Sequence, residues 1–289
     1  MSEETSPVVR YAVDDGIATI TLNRPERLNA FTVAMVGEVV AAIDRAERDG
    51  AVRVLVFTGA GKAYSVGSDL SGGADTFDYD ALGVNVERGF GPENAPPDMG
   101  GFISLRLYDC HKPVIVAFNG TAAGVGLTMA LPADIRLAST EAKFCFPFVR
   151  RGIAPESASS WFLPRIVGIA RAQEWMLTGR VFSATEALAG GLVRSLHPPD
   201  EVLPAAIAIA REIADLAAPV SVALAKQMLW RMLEAPHPRV AHELDSRAVY
   251  ATGRSADARE GVGSFLEKRP ARFIGRVPDD LPPFVPWWT

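Results

Sequence analysis

One carboxylate, Glu156, stands in the run GIAPESASSWFLP at residues 152–164, among small residues and just ahead of bulky apolar ones. A carboxyl group enclosed by apolar side chains holds its proton more tightly than in water, and so becomes a general acid or base near neutral pH. Phe146, Phe148 and Trp161 are the side chains expected to enclose it. A plainer reading fits the same residues, since Pro155 suits the first turn of a helix and the helix dipole favours an acid there. Two glycine-bearing turns form the second feature, TGAGKAYSVGSDL at 58–70 and FNGTAAGVGLTMAL at 118–131. Each follows an apolar run, and a strand, a bend and a helix start leave backbone N–H groups pointing outwards. Two such turns, if they converge, grip one carbonyl oxygen and stabilise the oxyanion that forms on it. Taken singly, each turn equally suits ordinary loop geometry. Neither matches the GxxxxGK[ST] phosphate cradle or the GxGxxG dinucleotide fingerprint.

The composition narrows the chemistry. With 289 residues, 48% hydrophobic and 22% charged, the chain has an ample core and the balance of a globular protein. A net charge of −5 argues against a nucleic-acid partner, which calls for a basic face. Cys110 and Cys145 are too few for a disulfide framework, and four scattered histidines give no HxxH or CxxC metal pattern. The start, MSEETSPVVR, lacks the apolar core of a signal peptide, and Gly, Pro or charge interrupts every apolar run before membrane-spanning length. No metal, no membrane and a cytoplasmic location are expected.

The elements that must position these residues alternate in type. VVRYAVDDGIATITLN reads as a hairpin turning at Asp14, Asp15 and Gly16. A helical period begins near Thr32 and stops at Gly50. VRVLVFTGA and KPVIVAFNG are continuous apolar runs, as expected of strands covered on both faces, and DIRLAS is a further strand. The pattern predicts an α/β core with largely parallel strands, followed after about Ala172 by helices alone, including amphipathic stretches over 202–234 and 242–268. Residues 71–101, rich in Gly, Asp, Asn and Pro, read as a loop or lid.

GKAYSVGSDL, NGTAAGVGLTMALPADIRLAS and GIAPESASSWFLPRIVGIARAQEWMLTGRVFSATEALAGGLV, in this order and spacing, resemble the crotonase superfamily, the enoyl-CoA hydratase/isomerase family. The resemblance runs from LNRPERLNAF near the N-terminus to GVGSFLEKRPARF near the C-terminus. It implies a crotonase-like spiral of ββα turns over 1–200 that binds a CoA thioester, a helical trimerisation region over 201–275 and a Pro/Trp-rich tail over 276–289. It also implies a homotrimer or hexamer, an acyl-CoA thioester substrate, and no cofactor beyond the coenzyme A that the substrate carries. Carried over by position, the oxyanion donors are the backbone N–H groups of Ser68 and Val125. Lys62, Ala63, Ser68, Asp69 and Leu70 would line the CoA, with Val125 narrowing the pocket. Arg27, Phe265 and Lys268 would meet the nucleotide end, the latter two from an adjoining subunit.

One departure decides the expected reaction. Relatives that hydrate enoyl-CoA carry two glutamates, at positions where this chain has Thr128 and Phe148. Glu156 instead matches the acid of the enoyl-CoA isomerases of the superfamily; its dehalogenase branch has a nucleophilic aspartate there. The leading expectation is therefore a 1,3-proton shift through a thioester enolate, run by one carboxylate. Two alternatives stand beside it: a hydratase or other lyase that draws a second acid from Asp75, Asp78, Glu87, Glu93 or Asp98 in the 71–101 loop, and a CoA-thioester-binding protein with little catalysis. Thr128 would orient a water or bond its own helix backbone, and Cys110 and His111 are expected to be structural.

Overall fold

A computed structural model describes residues 7–81 and 89–284. The chain opens with a hairpin, β1 (Val9–Asp14) and β2 (Ile17–Leu22), whose two turn residues Asp15 and Gly16 both take positive φ, the geometry that keeps the twist of a tight hairpin. Helix α1 (Val33–Arg48) follows, capped by the Thr32 hydroxyl. Three ββα turns come next. The first is β3 (Val54–Gly59), β4 (Ala63–Ser65) and α2 (Met99–Asp109); the second is β5 (Val114–Phe118), β6 (Thr121–Ala123) and α3 (Val125–Thr128). The third is β7 (Ile135–Ser139), β8 (Lys143–Cys145) and α4 (Ser159–Val167). Helix α5 (Ile169–Thr178), β9 (Val181–Ser183), α6 (Ala184–Ala189) and β10 (Ser195–His197) complete the core. Four helices end the described chain: α7 (Val202–Leu216), α8 (Pro219–Arg231), α9 (Pro238–Thr252) and α10 (Ala256–Glu267).

Each ββα turn places its first strand in one sheet and its second in another. The larger sheet has the order β1-β2-β3-β5-β7-β10, parallel from β2 onwards; the smaller is β4-β6-β8-β9. Strands β3 and β5 are apolar at nearly every position because both faces of the larger sheet are covered. On one side Val202, Ala206, Ala210 and Ala214 form a stripe along α7 against Val54, Val56, Ile115 and Ala117. The other side carries the main core, where Phe57, Tyr64, Phe118 and Phe144 meet α1, α2 and α3. This is the α/β spiral that the sequence predicts.

Four features differ from the sequence expectation. Strands β9 and β10 lie beyond Ala172, where helices alone are expected; at three residues each they are too short to show a strand pattern. The stretch over 71–101 holds a short 3-10 helix at its start and, at its end, the first turn of α2. The two long amphipathic stretches break, the first at Ala217 to Pro219 and the second between Thr252 and Ala256, so four helices stand where two patterns ran. Glu156 lies outside any helix: α4 starts at Ser159, after Ser157 and Ala158 have both taken left-handed backbone conformations. The plainer reading, in which Pro155 and Glu156 open a helix, is therefore corrected. Glu87 and the last five residues of the tail lie outside the described residues.

Candidate active site

The two glycine turns meet. Gly67 has φ +98° and Gly124 φ +49°, and a Cβ built on Gly67 would lie 2.9 Å from the Ala123 carbonyl oxygen. A side chain at Gly67 would both strain the backbone and collide with the other turn. The segment 29–31 braces the first turn. Asn29, fully buried, donates to the carbonyls of Ala60 and Ala63, and the Ser65 hydroxyl donates to the Asn29 carbonyl. Phe31 N–H donates to the Gly67 carbonyl and Asp69 N–H to the Phe31 carbonyl, each at 2.8 Å. With Asp69 N–H turned to Phe31, the alternation of an extended chain turns Ser68 N–H the other way. In the second turn Val125 is the first helical residue after Gly124, so its N–H falls at the open end of α3.

Glu156 lies against this pair of turns. Its Oε1 accepts from Thr128 Oγ1 at 2.5 Å and its Oε2 from Ser157 Oγ at 2.5 Å. Thr128 Oγ1 is also 3.1 Å from the Gly124 carbonyl oxygen. Its one hydroxyl proton goes to Glu156 when the carboxylate is ionised, and is free to turn to Gly124 when Glu156 carries the proton. Thr128 thus serves its own helix, as expected, and the carboxylate as well. Gly100, in the first turn of α2, closes the third side: a Cβ there would fall 2.0 Å from Glu156 Oε2, 2.0 Å from Ser157 Oγ and 2.9 Å from Val125 Cγ2.

Asp98 is the second carboxyl group of the neighbourhood. It caps α2, with Oδ1 accepting from Gly101 N–H at 2.7 Å and from Ser157 N–H at 2.9 Å. Burial pushes the Glu156 carboxyl up to about 7; the Ser157 and Thr128 hydroxyls pull it down, and the charge of Asp98 with a hydrogen bond to it pushes up again. Tyr79 completes the surroundings. Its hydroxyl accepts from Met99 N–H at 3.2 Å, and burial, together with the nearby Asp98 and Glu156 charges, raises its pKa. These polar groups face Glu156; of the three aromatic side chains expected to enclose it, Phe148 is buried in the 3-10 turn ahead of it and the other two pack against further rings. Phe146 stacks on Trp175 and Phe182, while Trp161 packs against Tyr108, Phe162 and Trp230.

The residues assigned to CoA spread outwards from here. Ala63 is buried in β4, Ser68 and Asp69 are half-buried, and Lys62, Leu70 and Arg27 are exposed. Asp69 is held by Arg24 at 2.9 Å; its bonds to Ser71 and to Arg24 keep its carboxyl below the usual range. Phe265, 82% exposed, and Lys268 stand on and just after α10. Ser157, Gly100 and Tyr79 carry no pattern in the sequence that marks them for the site, and Asp98 reads there only as one of five loop acids. The signal for Asp98 was its place as an Asp ahead of a helix, obscured by two glycines in the first turn. Among the described residues, no group of three His, Cys, Asp or Glu side chains is arranged to hold a metal ion.

Known proteins share this arrangement of elements. The enoyl-CoA hydratase/isomerase family model matches residues 12–276. An enoyl-CoA hydratase of Alternaria alternata, ACTT3, is 40% identical over 260 residues, covering 90% of this chain and 83% of that protein. The 1,2-epoxyphenylacetyl-CoA isomerase of Escherichia coli is 37% identical over 268 residues, covering 91% and 97%. A crystal structure of a probable enoyl-CoA hydratase/isomerase from Mycobacterium abscessus superposes with a TM-score of 0.83 at 35% identity, covering 93% of this chain and 99% of that one. Relatives with these names and this coverage leave one conclusion: the chain has the crotonase fold and belongs, as an enzyme, to the enoyl-CoA hydratase/isomerase family.

Proposed function

We propose that the protein isomerises an enoyl-CoA thioester by a 1,3-proton shift, with Glu156 as the one acid/base. The observation that carries this reading is the Glu156 carboxyl, half-buried, gripped by two hydroxyls and pushed up to about 7 beside two converging backbone turns. Ionised Glu156 takes the proton from C2 of a 3-enoyl thioester. The electron pair passes into the thioester carbonyl, and the N–H groups of Ser68 and Val125 hold the oxyanion. Protonated Glu156 then returns the proton at C4, and the double bond moves from C3–C4 to C2–C3. A carboxyl that titrates near neutrality gives and takes a proton at comparable cost, as this two-way transfer requires. Lys62, Ala63, Asp69, Leu70 and Arg27 serve the CoA. Phe265 and Lys268 reach a neighbour's ligand in a homotrimer or hexamer, an assembly that the exposed apolar residues Leu229, Phe265 and Leu266 support. The reaction needs no cofactor apart from the CoA of its substrate, and the setting is the cytoplasm.

A second reading, hydration of a 2-enoyl-CoA, draws support from Asp98, a further carboxyl beside Glu156. Turnover of 2-enoyl- and 3-enoyl-CoA panels by wild type and Glu156→Gln separates the two. Isomerisation should exceed hydration, and the variant should lose on the order of 10²–10⁴ in rate with little change in affinity for an unreactive CoA thioester. Hydration that dominates and survives the substitution would place the acid elsewhere.

A further inference from the structure

Asp98 touches Glu156 through more than charge. Its Oδ1 accepts from Ser157 N–H at 2.9 Å, and Ser157 in turn donates its hydroxyl to Glu156 Oε2 at 2.5 Å. The same Oδ1 accepts from Gly101 N–H at 2.7 Å, which fixes the start of α2, and Gly100 in that turn leaves no room for a Cβ against Glu156. Ser157 itself sits at φ 59° and Ala158 at φ 52°, left-handed conformations that a residue with a side chain holds only when its surroundings impose them. The bond from Ser157 N–H to Asp98 is one of those impositions. Two carboxyl groups that meet at Ser157, one on its N–H and the other on its hydroxyl, cannot both ionise without mutual repulsion.

We propose that Asp98 is a positioning residue of the site: from the N-cap of α2 it clamps the turn that aims Glu156 and sets its own carboxyl against that of Glu156. This rests on Glu156 being the proton carrier. Asp98 and Tyr79 are the titratable groups that face Glu156 from α2 and the segment ahead of it; Thr128 from α3 and Ser157 beside it face it with uncharged hydroxyls. The charge of Asp98 favours the protonated form of Glu156. When Glu156 ionises, the two carboxylates repel, and that repulsion makes Glu156 the stronger base.

The test uses Asp98→Asn, which keeps an acceptor oxygen for Gly101 and Ser157 and removes the charge, with Asp98→Ala as the variant that removes both. The titration of Glu156 is read directly from its carboxyl-carbon NMR resonance, assigned by its loss in Glu156→Gln, and in parallel from the acidic limb of kcat/KM against pH. In Asp98→Asn both midpoints should fall by about one pH unit, while the thermal melt stays close to wild type. A midpoint that stays in place in Asp98→Asn overturns the pairing, and a loss confined to the melt of Asp98→Ala reduces Asp98 to a helix cap. The two claims fail separately. A shifted NMR midpoint with turnover that survives Glu156→Gln keeps the pair and removes Glu156 as the proton carrier. An unshifted midpoint with turnover lost in Glu156→Gln does the reverse.

Discussion

At the scale of single residues, the site keeps a carboxyl group in an unfavourable place. Glu156 ordinarily titrates near 4.5 and here does so at about 7, so ionising it in the folded chain costs free energy that the unfolded chain does not spend. For an acid whose folded value is raised, the cost is absent below the unfolded value, grows as the pH rises between the two, and is complete above the folded one. Glu156→Gln, which has the same shape and no charge, should therefore melt higher than wild type at pH 8, by up to roughly 3 kcal/mol of stability, and the advantage should fade towards pH 4.5. Melting curves at both pH values check this. An advantage that grows in acid would mean that the carboxylate is better solvated than its surroundings indicate. The identity of Glu156 as the residue to watch was legible in the sequence, because a lone acid replaces two that Thr128 and Phe148 deny. Its neighbours were not. Asp98 is 58 positions away in the chain, Thr128 is 28, and only packing brings them to one carboxyl group.

At the scale of elements, the site is a meeting of three helix starts and two turns, and glycine decides how closely they approach. Gly100 is the tightest point. Gly100→Ala puts a methyl group 2.0 Å from Glu156 Oε2 and from Ser157 Oγ, so either Glu156 moves out or α2 shifts. We expect a loss of at least about tenfold in turnover and of about 1–3 kcal/mol in stability, the usual cost of overpacking. Gly37, exposed in the middle of α1 with no heavy atom within 4 Å of where a methyl group would stand, is the contrast. Gly37→Ala should raise stability by about 0.5–1 kcal/mol through helix propensity alone and leave turnover unchanged. Denaturant titrations and initial rates on the two variants test the pair of expectations. Much at this scale could be read from sequence: the hairpin, the buried runs of β3 and β5, and the order of glycine turns carry strong local patterns. Strands β4, β6, β8 and β9 have three residues each, too short for any alternation to show. Helix α2 was hidden because Gly100 and Gly101, poor helix formers, occupy its first turn. The start of α4 was misplaced because the left-handed Ser157 and Ala158 override the helix-start signal of Pro155.

At the scale of the whole molecule, α2 ties the site to a polar anchor at its other end. Its N-terminal end carries Asp98. Beyond its C-terminal end, Glu47 accepts from Cys110 Sγ at 2.9 Å and pairs with His111, while Lys112 Nζ donates to the carbonyls of Ala46 and Asp49. Lys226 from α8 adds an ion pair with Asp134 at 3.1 Å, and Gln227 donates to the carbonyls of Tyr108 and Cys110. Burial opposes the Glu47 charge, but the bonds to His111 and Cys110 outweigh it and bring its pKa to about 2, while burial drives the Cys110 thiol far above its ordinary range. Cys110 and His111 therefore act structurally, and the helix that positions Asp98 is fixed at both ends. The outer faces of α8 and α10 remain apolar and exposed, with Leu229 at 75% and Phe265 at 82%. Patches of this kind are normally covered by another chain. Light scattering should find a trimer or hexamer at micromolar concentration, and a stable monomer would leave Phe265 and Lys268 without a ligand to reach. No helix among the described residues is long and apolar enough to cross a membrane.

In the proposed reaction one carboxyl group, Glu156, carries one proton from C2 to C4. The most direct measurement is a single turnover of a 3-enoyl-CoA deuterated at C2, in ordinary water, with the product analysed by mass spectrometry and NMR. A carboxyl that takes the label and returns it before exchange with solvent predicts a 2-enoyl-CoA product carrying part of the deuterium at C4. Recovery of the 2-enoyl product with no deuterium at C4, or of unchanged substrate, would contradict the single-carboxylate account.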